Sequence, residues 1–317
     1  MKHLLKAIAF VLVFVFAFFL VVYSVPDQFE QAYQRAIVRQ YDYYRTIKGH
    51  KIVFIGESGL SFGLNLDYME ELSGLPCAIL GNHYGEGLLF QLNMAKSNLK
   101  PGDTAVIVYT NYTMPPGEAE LLLSGIGKRI DLYRFFPKEL MGKIIFGFPS
   151  YFRKNLDYWR KWGYHPLSPY FLPSYDERGN MILPREECLL PEDYTQEAGD
   201  HFGWADFWVQ KRDIEPDFVN SLNKFVYWCR RRDVKVLFTI PCYYEKAIPD
   251  GYDEMIMEEF DNALRVALDG ELISHSRDYI FPREYMYDTA AHCNTIGANH
   301  RTELLYRDLS PYMATKE

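Results

Sequence analysis

Ser58 is a residue whose type and setting could support nucleophilic catalysis. It follows a short apolar run, residues 52–55, with Gly56 two residues before it and Gly59 directly after it. Glycine permits the tight turn that exposes a serine hydroxyl at the end of a strand, although such a serine is more often a simple turn residue. The segment contains neither G-x-S-x-G nor G-K-[ST], so it predicts neither that nucleophile elbow nor a phosphate-binding loop.

His292 and Asp288, near the C-terminus, could activate such a serine. A serine hydroxyl is a poor nucleophile at neutral pH, so it needs an imidazole to accept its proton and a carboxylate to orient that imidazole. Both groups lie in the segment YDTAAH (287–292), between the last predicted strand and the last predicted helix. The alternative interpretation of this segment is a turn or N-cap aspartate beside an exposed histidine.

The elements that must position these residues alternate between strands and helices. Short apolar and β-branched runs predict strands at residues 52–56, 77–81, 104–110, 234–242 and 271–276. Helical stretches separate most of these strands, which predicts a parallel sheet with helices on both faces. Ligands bind outside the carboxyl ends of such strands, so we look for the site in the loops that follow them.

Residues 113–213 interrupt this alternation. They contain several prolines and a dense set of aromatic residues, among them Trp159, Trp162 and Trp204. We interpret the segment as an insertion that forms a lid or subdomain over the sheet edge. Its aromatic side chains could stack on sugar rings, or they could form a small core of their own.

The N-terminal segment, residues 1–25, predicts membrane targeting. Lys2 and Lys6 lie before residues 7–22, which are uniformly apolar. This segment approaches the length of a bilayer-spanning helix, and the two lysines place the N-terminus in the cytoplasm and the rest of the chain outside it. We predict a retained single-pass transmembrane helix; a cleaved signal peptide and a buried core helix are the alternatives. A helical stalk, residues 26–49, and an α/β domain, residues 50–317, follow.

Charge and cysteine content exclude several classes of protein. The chain has 42 acidic against 34 basic residues and no Lys/Arg-rich tract, which argues against a nucleic-acid partner. The five cysteines lack C-x-x-C spacing, so zinc-ribbon and thioredoxin-type sites are excluded, and no disulfide is assigned. His165, His201 and His275 lack metal-ligand spacing. We therefore predict no metal and no organic cofactor.

Four short blocks together resemble the SGNH (GDSL-like) hydrolase superfamily, in the order that the family has them. The blocks are GESGLSFG (56–63), LGNH (80–83), TNY (110–112) and YDTAAHCNTIGANHRT (287–302). The resemblance implies that Ser58 is the nucleophile, His292 the base and Asp288 its orienting partner. It also implies an oxyanion hole formed by the amides of Ser58 and Gly81 and the side chain of Asn111.

The resemblance spans residues 50–112 and 215–305 and includes two departures. The family's D-x-x-H spacing becomes four residues between Asp288 and His292, and no aspartate follows Asn111. The last block, H-x-N-x-x-G with Arg-Thr after it, is similar to that of a membrane-anchored bacterial subgroup. The implied fold is a three-layer α/β/α domain with a flavodoxin-like parallel sheet.

The resemblance implies a serine esterase or O-acyltransferase that acts on acyl, in particular acetyl, esters. The predicted placement outside the cytoplasm, next to the membrane, indicates a cell-envelope glycan as its substrate. The alternative is a catalytically inactive membrane-anchored scaffold that binds a polysaccharide or a membrane partner. The spacing at Asp288 favours the scaffold, and the joint presence of Ser58 and His292 favours the enzyme. His83, beside the predicted oxyanion loop, either lines the pocket or makes a structural hydrogen bond.

Overall fold

In the part of the chain that the structure describes, the strands form a five-stranded parallel sheet and a small two-stranded one. The computed structural model describes residues 2–24, 33–109, 117–143, 147, 149–151, 153, 171–192, 194, 214–248 and 254–313. The strands are β1 (Ile52–Gly56), β2 (Cys77–Leu80), β3 (Thr104–Val108), β4 (Lys235–Thr239), β5 (Tyr243–Tyr244), β6 (Glu271–Leu272) and β7 (Ile280–Phe281). The main sheet has the order β2-β1-β3-β4-β6, and β5 pairs with β7.

Helices alternate with these strands as the sequence predicted. They are α1 (Lys2–Ser24), α2 (Ala36–Thr46), α3 (Ser58–Gly63), α4 (Leu66–Ser73), α5 (Leu88–Ala95), α6 (Ala119–Ile126), α7 (Pro216–Arg230), α8 (Glu254–Ala267) and α9 (Thr295–Leu309). The order of the main sheet, counted over its own strands, is 2-1-3-4-5. In a doubly wound sheet of this order the switch point lies between the first and third strands, beside β1.

The main sheet is buried on both faces, which confirms the predicted α/β class. One face carries Val53 and Ile107 and packs against α2, α5, α6, α7 and α8. The other face carries Phe54 and Val106 and packs against α3, α4 and α9. Successive residues of a strand point to opposite faces, so strands covered on both sides have the continuous apolar runs seen in this sequence.

The predicted stalk is helical, but its helix α2 belongs to the core. Tyr41 and Tyr44 are fully buried and pack against the same face of the sheet as α5 and α7. Gln40 is also fully buried and bonds to Gly81 after β2. The α/β domain therefore begins before residue 50, because the apolar face of α2 has the sheet domain as its partner.

The described parts of the insertion pack against the domain. Helix α6 and residues 130–135 join the large core cluster. Leu172, Tyr175 and Met181 pack against Phe62 and Tyr287, which lie on the two segments that carry the predicted catalytic residues. The aromatic residues at 154–170 and 195–213, on which the predicted sugar stacking depends, lie outside the described residues.

Helix α1 covers the apolar N-terminal segment. Its apolar side chains are exposed, including Phe10 at 72% and Phe14 at 69%. Within the described ranges, however, no helix reaches the length and apolarity expected of a membrane span. The structure does not support the predicted transmembrane helix, which stays a prediction.

A buried ion pair joins the starting points of two neighbouring central strands. Lys51 precedes β1 and Asp103 precedes β3, and the Lys51 Nζ atom lies 2.6 Å from Asp103 Oδ2 with both side chains fully buried. The Asp103 carboxylate also accepts hydrogen bonds from the backbone amides of Lys51 and Lys100. Ile52 and Thr104, the residues that follow Lys51 and Asp103, are paired in the sheet. The ion pair is therefore consistent with the register of β1 and β3.

Removal of one partner of this pair should destabilise the domain strongly. Asp103→Ala leaves the Lys51 ammonium group buried without its carboxylate, so we expect the free energy of unfolding to fall by about 3–5 kcal/mol. Urea unfolding followed by circular dichroism measures this change. As the matched control, Asp42→Ala removes the half-exposed partner of Arg129 and should cost at most about 1 kcal/mol. Equal losses in the two variants would contradict the assignment.

Candidate active site

Ser58 lies where β1 gives way to α3, at the carboxyl edge of the sheet. Gly56 ends the strand, Glu57 continues in an extended conformation, and Ser58 is the first residue of the helix. A Cβ atom at Gly56 would clash with the carbonyl oxygen of Val108 in the neighbouring strand β3, so only glycine fits there. The Ser58 side chain is partly exposed. Its hydroxyl makes no hydrogen bond within the described part of the chain.

Asp288 and His292 form a hydrogen-bonded pair in the loop before α9. The His292 Nδ1 atom lies 2.9 Å from Asp288 Oδ1, and the two side chains are 7% and 16% exposed. The Tyr287 amide donates a hydrogen bond to the His292 carbonyl oxygen and closes a turn. This turn accommodates the one residue by which the spacing exceeds D-x-x-H. The four-residue spacing therefore still allows the carboxylate to accept from Nδ1–H. In that tautomer the lone pair of the ring lies on Nε2, the atom that a general base uses.

Phe62 connects the two segments that carry the predicted catalytic residues. Its ring stacks on the His292 ring with centroids 4.0 Å apart and planes 8° apart. Phe62 is one helical turn after Ser58 in α3, and residues four apart on a helix are neighbours on its surface. The stack therefore places His292 beside the face of α3 that carries Ser58. Among the described residues no hydrogen bond joins Ser58 to His292.

His83 lies in the loop after β2, within electrostatic reach of His292. Its Nδ1 atom accepts a hydrogen bond of 2.9 Å from the Gly85 amide. Burial, and then the proximity of His292, lower the pKa of His83, which favours the neutral ring at pH 7. A neutral ring that accepts at Nδ1 carries its proton on Nε2, so His83 makes the predicted structural hydrogen bond and retains a donor as well.

Gly81 occupies a position that only glycine can fill, but its amide already has a partner. Its φ is +132°, and a Cβ atom there would clash with the carbonyl oxygen of Gly56. The Gly81 amide donates to Gln40 Oε1 at 3.0 Å, and its carbonyl accepts from Ser61 Oγ at 2.9 Å. A contribution of Gly81 to an oxyanion hole would require Gln40 to release that hydrogen bond.

Of the other two predicted oxyanion donors, the structure describes Ser58 but not Asn111. The backbone amide of Ser58, at the first position of α3, makes no hydrogen bond among the described residues, and the amide of Gly59 is in the same state. The first amides of a helix have no intrahelical acceptor, so they are available to a developing negative charge. Asn111 lies outside the described residues, which end at 109 and resume at 117.

A buried polar network below the loop after β2 was not predicted from the sequence. The Glu86 Oε2 atom accepts from the Asn82 amide at 3.1 Å and from Gln91 Nε2 at 2.8 Å. Gln91 in turn accepts from the hydroxyl of Tyr109. Glu86 is only 1% exposed, and burial raises its pKa to about 7. The signal that could have indicated this network is Gln91 itself, a polar residue in the otherwise apolar run LLFQL (88–92).

Arg185, from the insertion, places a buried positive charge against Phe62, whose ring stacks on His292. It is 4% exposed, donates from Nη2 to the carbonyl oxygen of Phe62 at 3.3 Å, and lies over the Phe62 ring at 5.1 Å. Its backbone pairs with Thr295 at the start of α9. Sequence analysis missed Arg185 because the insertion has no periodic pattern that would place it near the site.

The described residues include no group of three or more histidine, cysteine, aspartate or glutamate side chains that could hold a metal ion. The predicted site residues described at this edge, Ser58, His83, His292 and Asp288, supply a hydroxyl, two imidazoles and a carboxylate. Their chemistry suits nucleophilic attack and proton transfer.

No protein-family model matches the sequence, and the comparison with curated proteins gives no match.

The raised pKa of Glu86 predicts a pH dependence of stability. In the folded protein this carboxyl holds its proton up to about pH 7, whereas in the unfolded chain it loses it near 4.5. The folded state therefore binds more protons between these values, and the free energy of unfolding falls as pH rises through them, by up to about 3 kcal/mol. Urea unfolding at several pH values measures the slope. Glu86→Gln should flatten the slope, and the exposed control Glu139→Gln should leave it unchanged. Parallel pH profiles for wild type and Glu86→Gln would contradict this prediction.

Proposed function

We propose that this protein is an SGNH-like serine hydrolase or acyltransferase with Ser58, His292 and Asp288 as its catalytic triad. The observation that carries the proposal is the 2.9 Å pair between Asp288 and His292, whose ring is stacked on Phe62 one turn from Ser58. The pair lies at the carboxyl edge of a parallel sheet, where ligands of such folds bind. The resemblance of the four sequence blocks supports the same assignment.

The mechanism is acyl transfer in two steps. Ser58 Oγ attacks the ester carbonyl while His292 Nε2 accepts the hydroxyl proton, and Asp288 stabilises the resulting imidazolium. His292 then gives this proton to the departing alcohol, which leaves an acyl group on Ser58. In the second step water or a sugar hydroxyl attacks the acyl carbonyl while His292 removes the proton of the attacking oxygen. The bond to Ser58 Oγ then breaks, and His292 returns the proton to Ser58. The first acceptor defines an esterase and the second an O-acyltransferase.

The oxyanion of this reaction needs hydrogen-bond donors that are not already bonded to another acceptor. The amide of Ser58 is one, and each such donor contributes on the order of 3 kcal/mol to transition-state stabilisation. Gly81 and Asn111 are the further donors that the resemblance implies. His83, with its proton on Nε2, is available to bind a substrate oxygen in the same pocket.

The proposed substrate is an acyl ester of a cell-envelope glycan. This assignment rests on the proposed placement of the chain after residue 25 outside the cytoplasm, with α1 as a membrane anchor. Support comes from Lys2 and Lys6 and from the exposed apolar side chains of α1. An ester-bearing polysaccharide next to the membrane is then within reach of the site.

A binding scaffold without catalysis is the second candidate function. Two observations favour it: in the described part of the chain the Ser58 hydroxyl has no hydrogen bond to His292, and the Gly81 amide is held by Gln40. A scaffold of this kind would bind a polysaccharide or a membrane partner at the same edge of the sheet.

Chemical labelling separates the enzyme from the scaffold. The full-length protein in mild detergent should hydrolyse a small activated acetyl ester and be labelled at Ser58 by a serine-directed organophosphonate, because both reactions need a hydroxyl held against a base. Ser58→Ala and His292→Ala should each lower kcat by about 10⁴-fold or more, and the double variant should be little worse than either. Asp288→Asn should cost less than the serine change.

The control for this experiment is Ser221→Ala, which removes the hydroxyl of a partly exposed serine that bonds only to the Asp217 carbonyl oxygen among the described residues. It should retain full activity and labelling. Labelling that persists in His292→Ala would remove the assigned base. A folded wild-type protein that is neither labelled nor active on the ester would favour the scaffold.

A reporter fusion checks the proposed placement. A reporter joined after Glu317 should be active only if it works outside the cytoplasm, because the lysines before the apolar segment keep the N-terminus inside. The same fusion without residues 2–24 should show the opposite reporter behaviour. Activity of a cytoplasm-restricted reporter on the full-length chain would refute this orientation.

A further inference from the structure

Two cysteines are in contact next to the predicted catalytic histidine in the chain. Cys293 follows His292, and Cys242 lies between β4 and β5. Their Sγ atoms are 2.9 Å apart, and both side chains are fully buried. The two residues are 51 positions apart in sequence, so the fold brings them together.

Hydrogen bonds connect the two backbone segments that carry these cysteines. The Tyr244 amide donates to the carbonyl oxygen of Ala290, and Cys242 Sγ contacts the carbonyl oxygen of Ala291 at 3.4 Å. These contacts hold the segment after β4 alongside the loop that carries Asp288 and His292. A disulfide has an S–S distance of about 2.05 Å, so the two sulfurs need to approach by less than about 1 Å.

We propose that Cys242 and Cys293 form a disulfide that ties the His292 loop to the end of β4. The oxidant is a protein or small-molecule disulfide of the compartment outside the cytoplasm, so the inference rests on the placement given under the proposed function.

The reaction is a pair of thiol–disulfide exchanges. The Cys242 thiolate attacks one sulfur of the oxidant, which releases the other sulfur as a thiol. Cys293 then loses its proton and attacks Cys242 Sγ in the mixed disulfide, which forms the Cys242–Cys293 bond and releases the second thiol. Two protons and two electrons pass from the cysteines to the oxidant.

The surroundings suit Cys242 as the attacking sulfur. The Cys293 thiol donates a hydrogen bond to Cys242 Sγ, and the charge of Arg301 is nearby. These groups lower the pKa of Cys242, whereas burial raises the pKa of Cys293. Because both sulfurs are buried, the exchange takes place during folding or through local opening of the loop. A bond formed there is shielded from external thiols.

The other cysteines do not offer a pair of this kind. Cys77 and Cys229 lie in the cores on opposite faces of the main sheet. Cys188 is partly exposed and packs against the cluster that contains Cys242 and Cys293, so it is the alternative partner that an experiment must distinguish.

Alkylation of the full-length protein tests the proposal. Protein isolated without reductant is denatured in N-ethylmaleimide, digested and mapped by mass spectrometry. We expect one peptide linked between Cys242 and Cys293, with Cys77, Cys188 and Cys229 alkylated. A map with all five cysteines alkylated, or a link through Cys188, would overturn the proposal.

A stability measurement gives an independent result. Reduction under denaturing conditions and refolding with reductant should lower Tm by about 5–10 °C, because the bond closes a loop of about 50 residues. The double variant Cys242→Ala/Cys293→Ala should have a Tm that reductant does not change, while Cys229→Ala should keep the reductant-dependent shift. A reductant-independent Tm in the wild type would count against the bond.

The failure of this inference is distinguishable from the failure of the proposed function. Organophosphonate labelling of Ser58 is measured on the same preparation. Labelled protein with five alkylated cysteines is an active enzyme without the disulfide. Unlabelled protein with the Cys242–Cys293 link keeps the disulfide and loses the proposed catalysis.

Discussion

The arrangement of the site depends on one buried guanidinium group. Arg301 of α9 is fully buried and donates to the carbonyl oxygen of Gly63, at the end of α3, and to that of Ile240, just after β4. Among the described residues no carboxylate lies within ion-pair distance of it. A buried charge without a counter-ion is tolerated only when hydrogen bonds replace its water, so these carbonyls cannot move away freely. Arg301 thereby fixes the helix of Ser58 relative to the helix that follows His292.

The sequence was sufficient for the features that arise from regular patterns. Apolar runs at 52–56 and 104–108 predicted strands buried on both faces, and the alternation of strands with helices predicted a parallel sheet. Those two rules also predicted that the loop after β1 would lie at the carboxyl edge of the sheet, which is where Ser58 lies. The hydrogen bond between Asp288 and His292 follows from a local turn, so a motif could indicate it.

Contacts between distant segments could not be predicted in this way. Gln40 bonds to Gly81 and to the carbonyl oxygen of Gly179, and Arg185 bonds to Phe62, across separations of 41 to 139 residues. No periodicity specifies such partners, because a single polar side chain has no pattern of its own. The contacts of Gln40 join helix α2 to the loop after β2 and supply the acceptor of the Gly81 amide.

The two glycines and the serine of this edge are under different kinds of constraint. At Gly56 and Gly81 the neighbouring carbonyl oxygens leave no room for a side chain, whatever chemistry the protein performs. The Ser58 hydroxyl, in contrast, has no hydrogen bond in the described part of the chain that folding would need. Selection for folding alone would retain both glycines, while position 58 would be free to vary. Under the proposed function, position 58 is therefore constrained by chemistry, whereas the two glycines are constrained by packing.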